Sequence, residues 1–419
     1  MEVLFIDVKM AWRNIWRNPR RTILTISAIA FASLLLVFML SFQFGSYHTM
    51  INASVKINTG HIQVQAQDYQ DKQSMHLVVN DPKAIGNILY KMQEVDAYTF
   101  RAKAFALVSS KERTYGIIVI GIDPATEAEV STLKNLIRRG SYLPQDYRNQ
   151  ASPPALIGNL LARNLHVGPG DELTVLGQGR DGSIAATVVR IAGVYSSGID
   201  EFDRSSIQIP LKHFQDVFAM RGAVHEVVAI GKSLKHVAKI KKETAAEINR
   251  RNLKHPLVVM DWEELMPGLR QAIEMDLVSG IIFYLILILV VAFSILNTFL
   301  MAIFERTKEF GVLMAMGTTP GRLTKLLLIE SVSMTAVGVV IGIIIGCLLT
   351  WYFQIHGIDI AGSSEILKQY GISGRIHPQL SLISAISGPA VVLLITFLAA
   401  LYPALKVRRL RPVEALGHV

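Results

Sequence analysis

Charge of both signs is crowded into one short run of an otherwise apolar half of the chain: Glu305-Arg306-Thr307-Lys308-Glu309-Phe310-Gly311-Val312-Leu313-Met314-Ala315-Met316-Gly317-Thr318-Thr319-Pro320-Gly321-Arg322. Glu305, Arg306, Lys308 and Glu309 could exchange ion pairs with another surface, while Phe310, Leu313 and Met314 recur at helical spacing. The pattern predicts a short helix that Gly317 and the following Thr-Thr-Pro-Gly end, with a new helix beyond. A short charged helix can dock in a groove of a soluble partner; taken alone, the run is equally a plain loop. Other chemistry is missing. No G-x-x-x-x-G-K-[ST] occurs, so no P-loop in this chain binds ATP. His225-Glu226 has no second histidine at the spacing of a zinc protease, and G-x-S-x-G is absent. One cysteine excludes a disulfide scaffold and a cysteine-based zinc site. The reading is a non-catalytic chain with neither metal nor cofactor of its own.

The elements that position the charged run are apolar. Of 419 residues 51% are hydrophobic and only 18% charged, with a mean hydropathy of +0.37. A soluble domain carries about a quarter charged residues, so this chain is short of the charge that keeps a surface wet. Four windows free of Asp, Glu, Lys and Arg (22–55, 277–304, 331–358 and 376–405) each exceed the ~20 residues a helix needs to cross a hydrocarbon core. Transmembrane helices are expected at 22–48, 278–304, 329–353 and 382–404. The first is too long for a signal-peptide core and reads as an uncleaved anchor. Gly338, Gly342 and Gly346 form a small-residue stripe that lets another helix approach the third span. Gln43, Asn297 and Thr298 read as interhelical polar contacts. Phe38, Met39, Phe42, Phe44, Phe283 and Tyr284 could line an acyl-chain cavity, against the plain alternative of lipid-facing side chains.

The net charge of +9 is unevenly placed. Segments 1–21, 305–328 and 405–419, with Glu330, hold 13 basic and six acidic residues, whereas the long segment 49–276 is nearly neutral. By the positive-inside rule the termini and the 305–328 loop are cytoplasmic; segment 49–276 and loop 354–381 lie on the other side. Residues 1–21 read as an amphipathic interfacial helix with Leu4, Val8, Trp12 and Ile15 on one face, and Pro19 bends the chain into the first span.

Segment 49–260 alternates strand and helix signals and predicts an α+β domain of two lobes. Strands are expected at 60–64, 117–122, 172–176, 186–194 and 205–210, and helices at 155–165 and 235–251. The second helix carries Val237, Ile240, Ala245 and Ile248 as its apolar stripe; the basic cluster at 232–242 is its solvated face rather than a nucleic-acid site. Residues 261–277, opening with Asp261 and Trp262, read as a helical stalk, with an interfacial helix anchored by Trp262 as the alternative. The fold class is therefore a membrane protein of four transmembrane α-helices, with a large α+β extracytoplasmic domain between the first two.

ERTKEFGVLMAMGTTPGRLTKLLLIES and the terminal LYPALKVRRLRPVEAL resemble the permease signature of the FtsX/MacB-like ABC transporter superfamily. Gly121-Ile122-Asp123-Pro124, LIGNLLARNLHVGPGDELTV and DWEELMPGLRQAIEMD are most similar to the LolC/LolE lipoprotein-releasing permeases. The resemblance implies a multi-pass inner-membrane permease that pairs with a second copy or a homologue and with a cytoplasmic ATPase dimer, which holds the ATP and Mg. Residues 305–317 would be the coupling helix, with Glu305, Arg306, Lys308, Glu309 and Phe310 at the ATPase and with Gly311 and Gly317 allowing close approach and a sharp exit. Motion of spans one and two and of the stalk would then work in the periplasm (mechanotransmission), extracting lipoproteins or similar amphiphiles for a periplasmic carrier or adaptor. The alternatives within the superfamily are a MacB-like peptide or drug exporter and an FtsX-like signalling permease that controls a cell-wall hydrolase. The carrier-binding permease of the lipoprotein system extends a long hook between two strands, whereas GQGRDGS here is a short hairpin. The chain thus suits a non-hook partner, a homodimer or another cargo.

Overall fold

The computed structural model describes residues 2–146, 152–251, 256–359 and 375–407. The terminal RRLRPVEAL run and most of loop 354–381 lie outside the described residues. The chain divides into two compact units, one built from residues 2–47, 273–359 and 375–407 and the other from His48–Ala272.

Four helices of the first unit are long and apolar enough to cross a membrane. They occupy Pro19–Ser54, Pro267–Ala315, Pro320–His356 and Leu382–Val407, preceded by a shorter helix at Glu2–Ile15. Pro19 and Pro320 each open a helix, where a missing amide hydrogen costs nothing. The glycine stripe of the third span meets the first. A Cβ at Gly342 would lie 2.5 Å from the Ala30 carbonyl oxygen, and one at Gly338 would lie 2.8 Å from the Ile29 Cβ. The two backbones thus approach more closely than any larger side chain permits, the way helices gain contact where lipid supplies no hydrophobic drive. Ser41 and Ser384 bridge spans one and four through a 2.9 Å hydroxyl contact.

Two expectations change here. The charged run is not a short helix of its own: one helix of 49 residues runs from Pro267 to Ala315 and contains both the second span and residues 305–315. At 1.5 Å per residue that is about 70 Å, well beyond the ~30 Å of a hydrocarbon core. No Gly or Pro lies between Phe304 and Phe310, so nothing interrupts the ladder. The start of the stalk is broken, because Trp262–Leu265 forms its own turn and Met266 leaves helical geometry before Pro267. Asp261 caps that turn in a reciprocal capping box with Glu264, and Trp262 packs against a core cluster rather than standing at an interface. In the first helix Ile15 of the expected apolar face is buried together with Ala11, and Trp12 is exposed.

The second unit is built on a ten-stranded sheet: β1 (Ile62–Ala66), β2 (Val95–Ser109), β3 (Thr114–Ile122), β4 (Ile137–Gly140), β5 (Pro154–Gly158), β6 (Glu172–Gln178), β7 (Ile184–Tyr195), β8 (Ser206–Pro210), β9 (Glu226–Gly231) and β10 (Leu257–Asp261). The order is β10-β1-β9-β2-β3-β8-β5-β7-β4, with β6 pairing β2 and β7. Strand β2, 15 residues long, pairs β9 with its first half and β6 with its last. It therefore joins two cores. One gathers Val64, Ile85, Leu89, Val227 and Ile240; the other gathers Val108, Val119, Ile157, Val175 and Phe214.

Residues 155–165 are not one helix. Pro154–Gly158 is a buried strand, and only Asn159–Leu165 is helical. Gly158 explains the switch, since a Cβ there would sit 2.1 Å from the Asp203 carbonyl oxygen. The helix Val237–Arg250 buries Val237, Ile240, Thr244 and Ile248, so Thr244 replaces Ala245 in the stripe. Two of its lysines pair with acids of the same unit, Lys239 with Glu94 and Lys241 with Asp261 and Glu264. Deep in the sheet, Arg101 donates to both oxygens of Glu127 at 2.9 and 2.7 Å.

Candidate functional site

Two polar clusters in the first unit sit at opposite ends of the apolar stretches of spans one and two. The first contains the charged run. The helix ends at Ala315, and Gly317 adopts φ +96°, where its amide donates to the Met314 carbonyl and that of Thr318 to Leu313, each at 3.0 Å. That left-handed turn needs glycine.

Within the helix, Glu309 accepts both terminal nitrogens of Arg17 at 2.9 and 2.8 Å, and Glu305 accepts from Arg21 at 3.0 Å. Arg306 reaches Glu309 at 3.4 Å and Glu330 at 3.3 Å, and its guanidinium lies 5.4 Å from the centre of the Phe310 ring. The hydrogen bond from Arg17 holds the Glu309 carboxyl below the usual carboxylate range. Phe310 is buried with Ile303, Met314, Leu323 and Val407; Gly311 is buried and Lys308 exposed. A cavity of about 320 Å³ opens among Arg17, Arg21, Glu305, Glu309 and Glu330.

Of the residues expected at a partner surface, the structure therefore gathers Glu305, Arg306 and Glu309 into an internal clasp and leaves Lys308 outside it. The clasp partners Arg17, Arg21 and Glu330 were not singled out from sequence. Arg17 and Arg21 lie four residues apart across the Pro19 bend, a spacing that matches Glu305 and Glu309 on the facing helix; this was the available signal.

The second cluster stands at the other end of the apolar stretches. Tyr47 donates to the Asp276 carboxylate at 2.6 Å, Gln43 donates to it at 3.2 Å, and Tyr284 donates to the Gln43 side-chain oxygen at 2.8 Å. Gly280 makes room, since a Cβ there would lie 2.7 Å from the Gln43 amide nitrogen. Four side chains thus tie span one to span two. Gln43 and Tyr284 came from sequence; Tyr47 and Asp276, the last carboxylate before the second apolar window, did not.

The remaining cavity candidates separate. Phe38 stacks on Phe42 at 6.4 Å and meets Phe353 of span three edge-on at 5.8 Å, so these two rings are partly covered. Met39, Phe44 and Phe283 are exposed, Phe283 at 68%. Asp261 and Trp262 belong to the other unit, and among the described residues no group of three or more His, Cys, Asp or Glu side chains could hold a metal ion.

Residues 22–247 match the family model described as MacB-like periplasmic core domain, and residues 281–412 match FtsX-like permease C-terminal. The chain belongs to the FtsX/MacB family of ABC transporter permeases. Among its relatives is a lipoprotein-releasing system transmembrane protein LolC of Xylella fastidiosa, 24% identical over 352 residues, which cover 82% of this chain and 80% of that one. A macrolide export ATP-binding/permease protein MacB of Nitrobacter winogradskyi is 25% identical over 96% of this chain and 58% of its own length. A solved extracellular domain of the transporter YknZ aligns with 48% of this chain and 99% of its own, at 16% identity and a TM-score of 0.36. Family membership makes this FtsX/MacB permease a multi-pass membrane protein with a periplasmic core domain between its first two spans, the architecture expected from the sequence.

Proposed function

We propose that this permease extracts lipoproteins or similar amphiphiles from the inner membrane, driven by ATP hydrolysis in a separate cytoplasmic ATPase. The carrying observation is the LolC relative, which this chain matches across 82% of its own length and 80% of the relative's. Both termini and the 305–328 loop face the cytoplasm, following the excess of basic residues there. ATP and Mg²⁺ reside on the partner, and this chain contributes no catalytic group. Two permease copies, or this chain and a homologue, assemble on the ATPase dimer.

The two clusters give the coupling a physical form. At the cytoplasmic end, the approaching ATPase exchanges charge with the Glu305–Glu309 helix turn, whose own pairs with Arg17 and Arg21 are solvent-accessible and cheap to rearrange. At the periplasmic end, the Gln43–Tyr47–Asp276–Tyr284 bonds hold spans one and two together. Separating the spans opens the mouth through which an acyl chain leaves the outer leaflet. The exposed Met39 and Phe283 supply apolar surface beside that mouth.

The deciding experiment co-purifies the chain with its ATPase and identifies bound material by mass spectrometry. Triacylated peptide is the expected result; its absence under conditions that retain phospholipid overturns the lipoprotein reading. The MacB relative supports a second reading, export of peptides or drugs, as does the β6–β7 hairpin, closed at Gly179–Ser183 by a 2.8 Å hydrogen bond and too short for a carrier hook. Recovery of a non-lipidated peptide in the same experiment favours that reading.

A further inference from the structure

The soluble unit has two connections, toward span one and toward span two, and they differ in kind. The helix of span one runs on to Thr59, and from His48 it belongs to the soluble unit. Its last turn, Val55–Thr59, is a π-helix, closed by the Gly60 amide donating to the Val55 carbonyl at 2.8 Å. A helix leaves its final four carbonyls without amide partners. Here each accepts from a side chain of the same unit. Thr132 donates to the Lys56 carbonyl at 3.5 Å, Ser131 to that of Ile57 at 3.0 Å, Arg101 to that of Asn58, and Gln63 to that of Thr59 at 2.7 Å. Arg101 is itself held by Glu127, and the Ser131 hydroxyl accepts the Leu133 amide at 3.1 Å. Val55 and Ile57 are buried. Gly60 turns the chain at φ +71°, where a Cβ would lie 2.2 Å from a Val228 methyl, and after His61 the chain is strand β1, between β9 and β10. The helix end is thus fixed to the interior of the sheet.

The exit toward span two has no such grip. It follows β10, an edge strand paired with β1. The Trp262–Leu265 turn still belongs to the fold, because the Trp262 amide donates to the His61 carbonyl at 3.1 Å. Met266 then leaves helical geometry at φ −128° and ψ 63°, and the helix restarts at Pro267, which has no amide hydrogen to carry the ladder across. Pro267 and Gly268 are exposed, and a Cβ on Gly268 would meet nothing within 4 Å among the described residues. Arg270 and Glu263 face each other across the break at 4.0 Å with side chains 52% and 50% exposed, an ion pair that adds little stiffness. A few element-terminal residues whose φ and ψ change without disturbing packed neighbours make a hinge.

We propose that the soluble unit is carried by the helix of span one and pivots at 266–268, with Thr132, Ser131, Arg101 and Gln63 as positioning residues that transmit the movement. The assignment rests on the coupling reading above: the ATPase displaces spans one and two, the sheet follows span one, and the 266–268 joint absorbs the difference.

Hydrogen exchange of the full-length protein in detergent, read by mass spectrometry, tests this in two steps. In the permease alone, amides 57–61 should exchange as slowly as those of β1 and amides 268–271 roughly a hundredfold faster, since a joint without buried contacts opens far more easily than a core strand. Equal rates at the two connections overturn the assignment and leave the coupling reading standing. With the ATPase bound and trapped by vanadate, exchange should change at 268–271 and stay as it was at 57–61. A change at 57–61 as large as that at 268–271 overturns the assignment. A change at 305–317 with none anywhere in 48–272 refutes coupling into the soluble unit, and the assignment with it. Ser131→Ala with Thr132→Val removes two of the four grips. Exchange at 57–61 should then rise about tenfold, the effect of losing one or two neutral hydrogen bonds, while β9 stays slow and the response to trapping passes from 268–271 to 57–61. A response that stays at 268–271 in this variant means that the two hydroxyls serve the fold alone and overturns their positioning role.

Discussion

Arg101–Glu127 and Arg17–Glu309 are the same piece of chemistry in two solvents. Each is a two-pronged guanidinium–carboxylate pair, with contacts of 2.9 and 2.7 Å in the first and 2.9 and 2.8 Å in the second. The first pair is 2% and 1% exposed; the second is 58% and 43% exposed. Breaking the buried pair strands a charge in a low-dielectric core, so it is fixed for the life of the fold. Breaking the exposed pair returns two ions to water, where the cost is small and salt-screened. The difference identifies which charges a partner can borrow: those of the 305–309 run.

The largest expected effect tests the buried extreme. Glu127→Ala should destabilise the soluble unit by about 3–5 kcal/mol, because Arg101 keeps its charge and loses its counterion. Protease resistance of 48–272 in the full chain, read against temperature, measures it. A loss below about 1 kcal/mol would mean that water reaches Arg101 and that the contrast drawn above is false. Arg306 lies between the extremes, with side chains of 18% and 12% exposure in the Arg306–Glu330 pair. Arg306→Met should cost about 1–3 kcal/mol, the range for a half-buried group left unpaired. A cost equal to that of Glu127→Ala would place the edge in the fixed class.

A smaller effect depends on pH. Burial is the main cause that holds both His61 and His225 down to about 4, against an ordinary 6.5. Both are neutral in the folded unit, where the His225 Nδ1 accepts the Lys103 amide at 2.9 Å and the His61 Nδ1 accepts the Gly231 amide at 3.0 Å. Below 6.5 the unfolded chain takes up protons that the folded chain refuses. This contribution is therefore complete above pH 6.5 and is lost as the pH falls toward 4, on the order of 1 kcal/mol per pH unit per histidine. Unfolding the soluble unit across that window should show the slope, and His225→Gln should flatten it. An unchanged slope would mean that His225 is not the group titrating.

The spans were legible because hydrocarbon imposes a one-dimensional rule, about twenty uncharged residues in a row, and because Gly338-Gly342-Gly346 admits few other packings. Strands β3, β6, β7 and β8 were legible from branched residues between turn signals. Residues 154–158 were not, since Leu156 and Ile157 suit either a buried strand or a helix, and only the contact of Gly158 with the Asp203 carbonyl decides. The edge residues were found as a run, but their orientation was not. Whether Glu309 faces outward or toward Arg17 depends on how the Glu2–Ile15 helix packs, a long-range fact that no local pattern carries. For the same reason the Lys103–Glu226 ion pair of strands β2 and β9 escaped notice: 123 residues separate its halves.

The smallest expected effect on stability is the most informative about coupling. Arg17→Glu should leave the protein inserted and its thermal stability unchanged within measurement, because the Arg17–Glu309 pair is solvent-exposed. Glu309→Arg should also insert but cost somewhat more stability, because it sets a second cation against Arg306 as well. Their effects on permease-stimulated ATP hydrolysis separate two roles for Glu309. If it acts through the clasp, each single reversal lowers stimulation and the double swap restores it, since the pair reforms with its charges exchanged. If it touches the ATPase directly, Glu309→Arg lowers stimulation and the swap does not rescue it. Lys308, exposed beside the clasp, is the control: Lys308→Glu should change stimulation only in the direct-contact case, because no clasp partner among the described residues depends on it. Rescue by the swap with a silent Lys308→Glu would mean that the ATPase reads the position of the helix turn, and that the charges of the 305–309 run serve to hold that turn against Arg17 and Arg21.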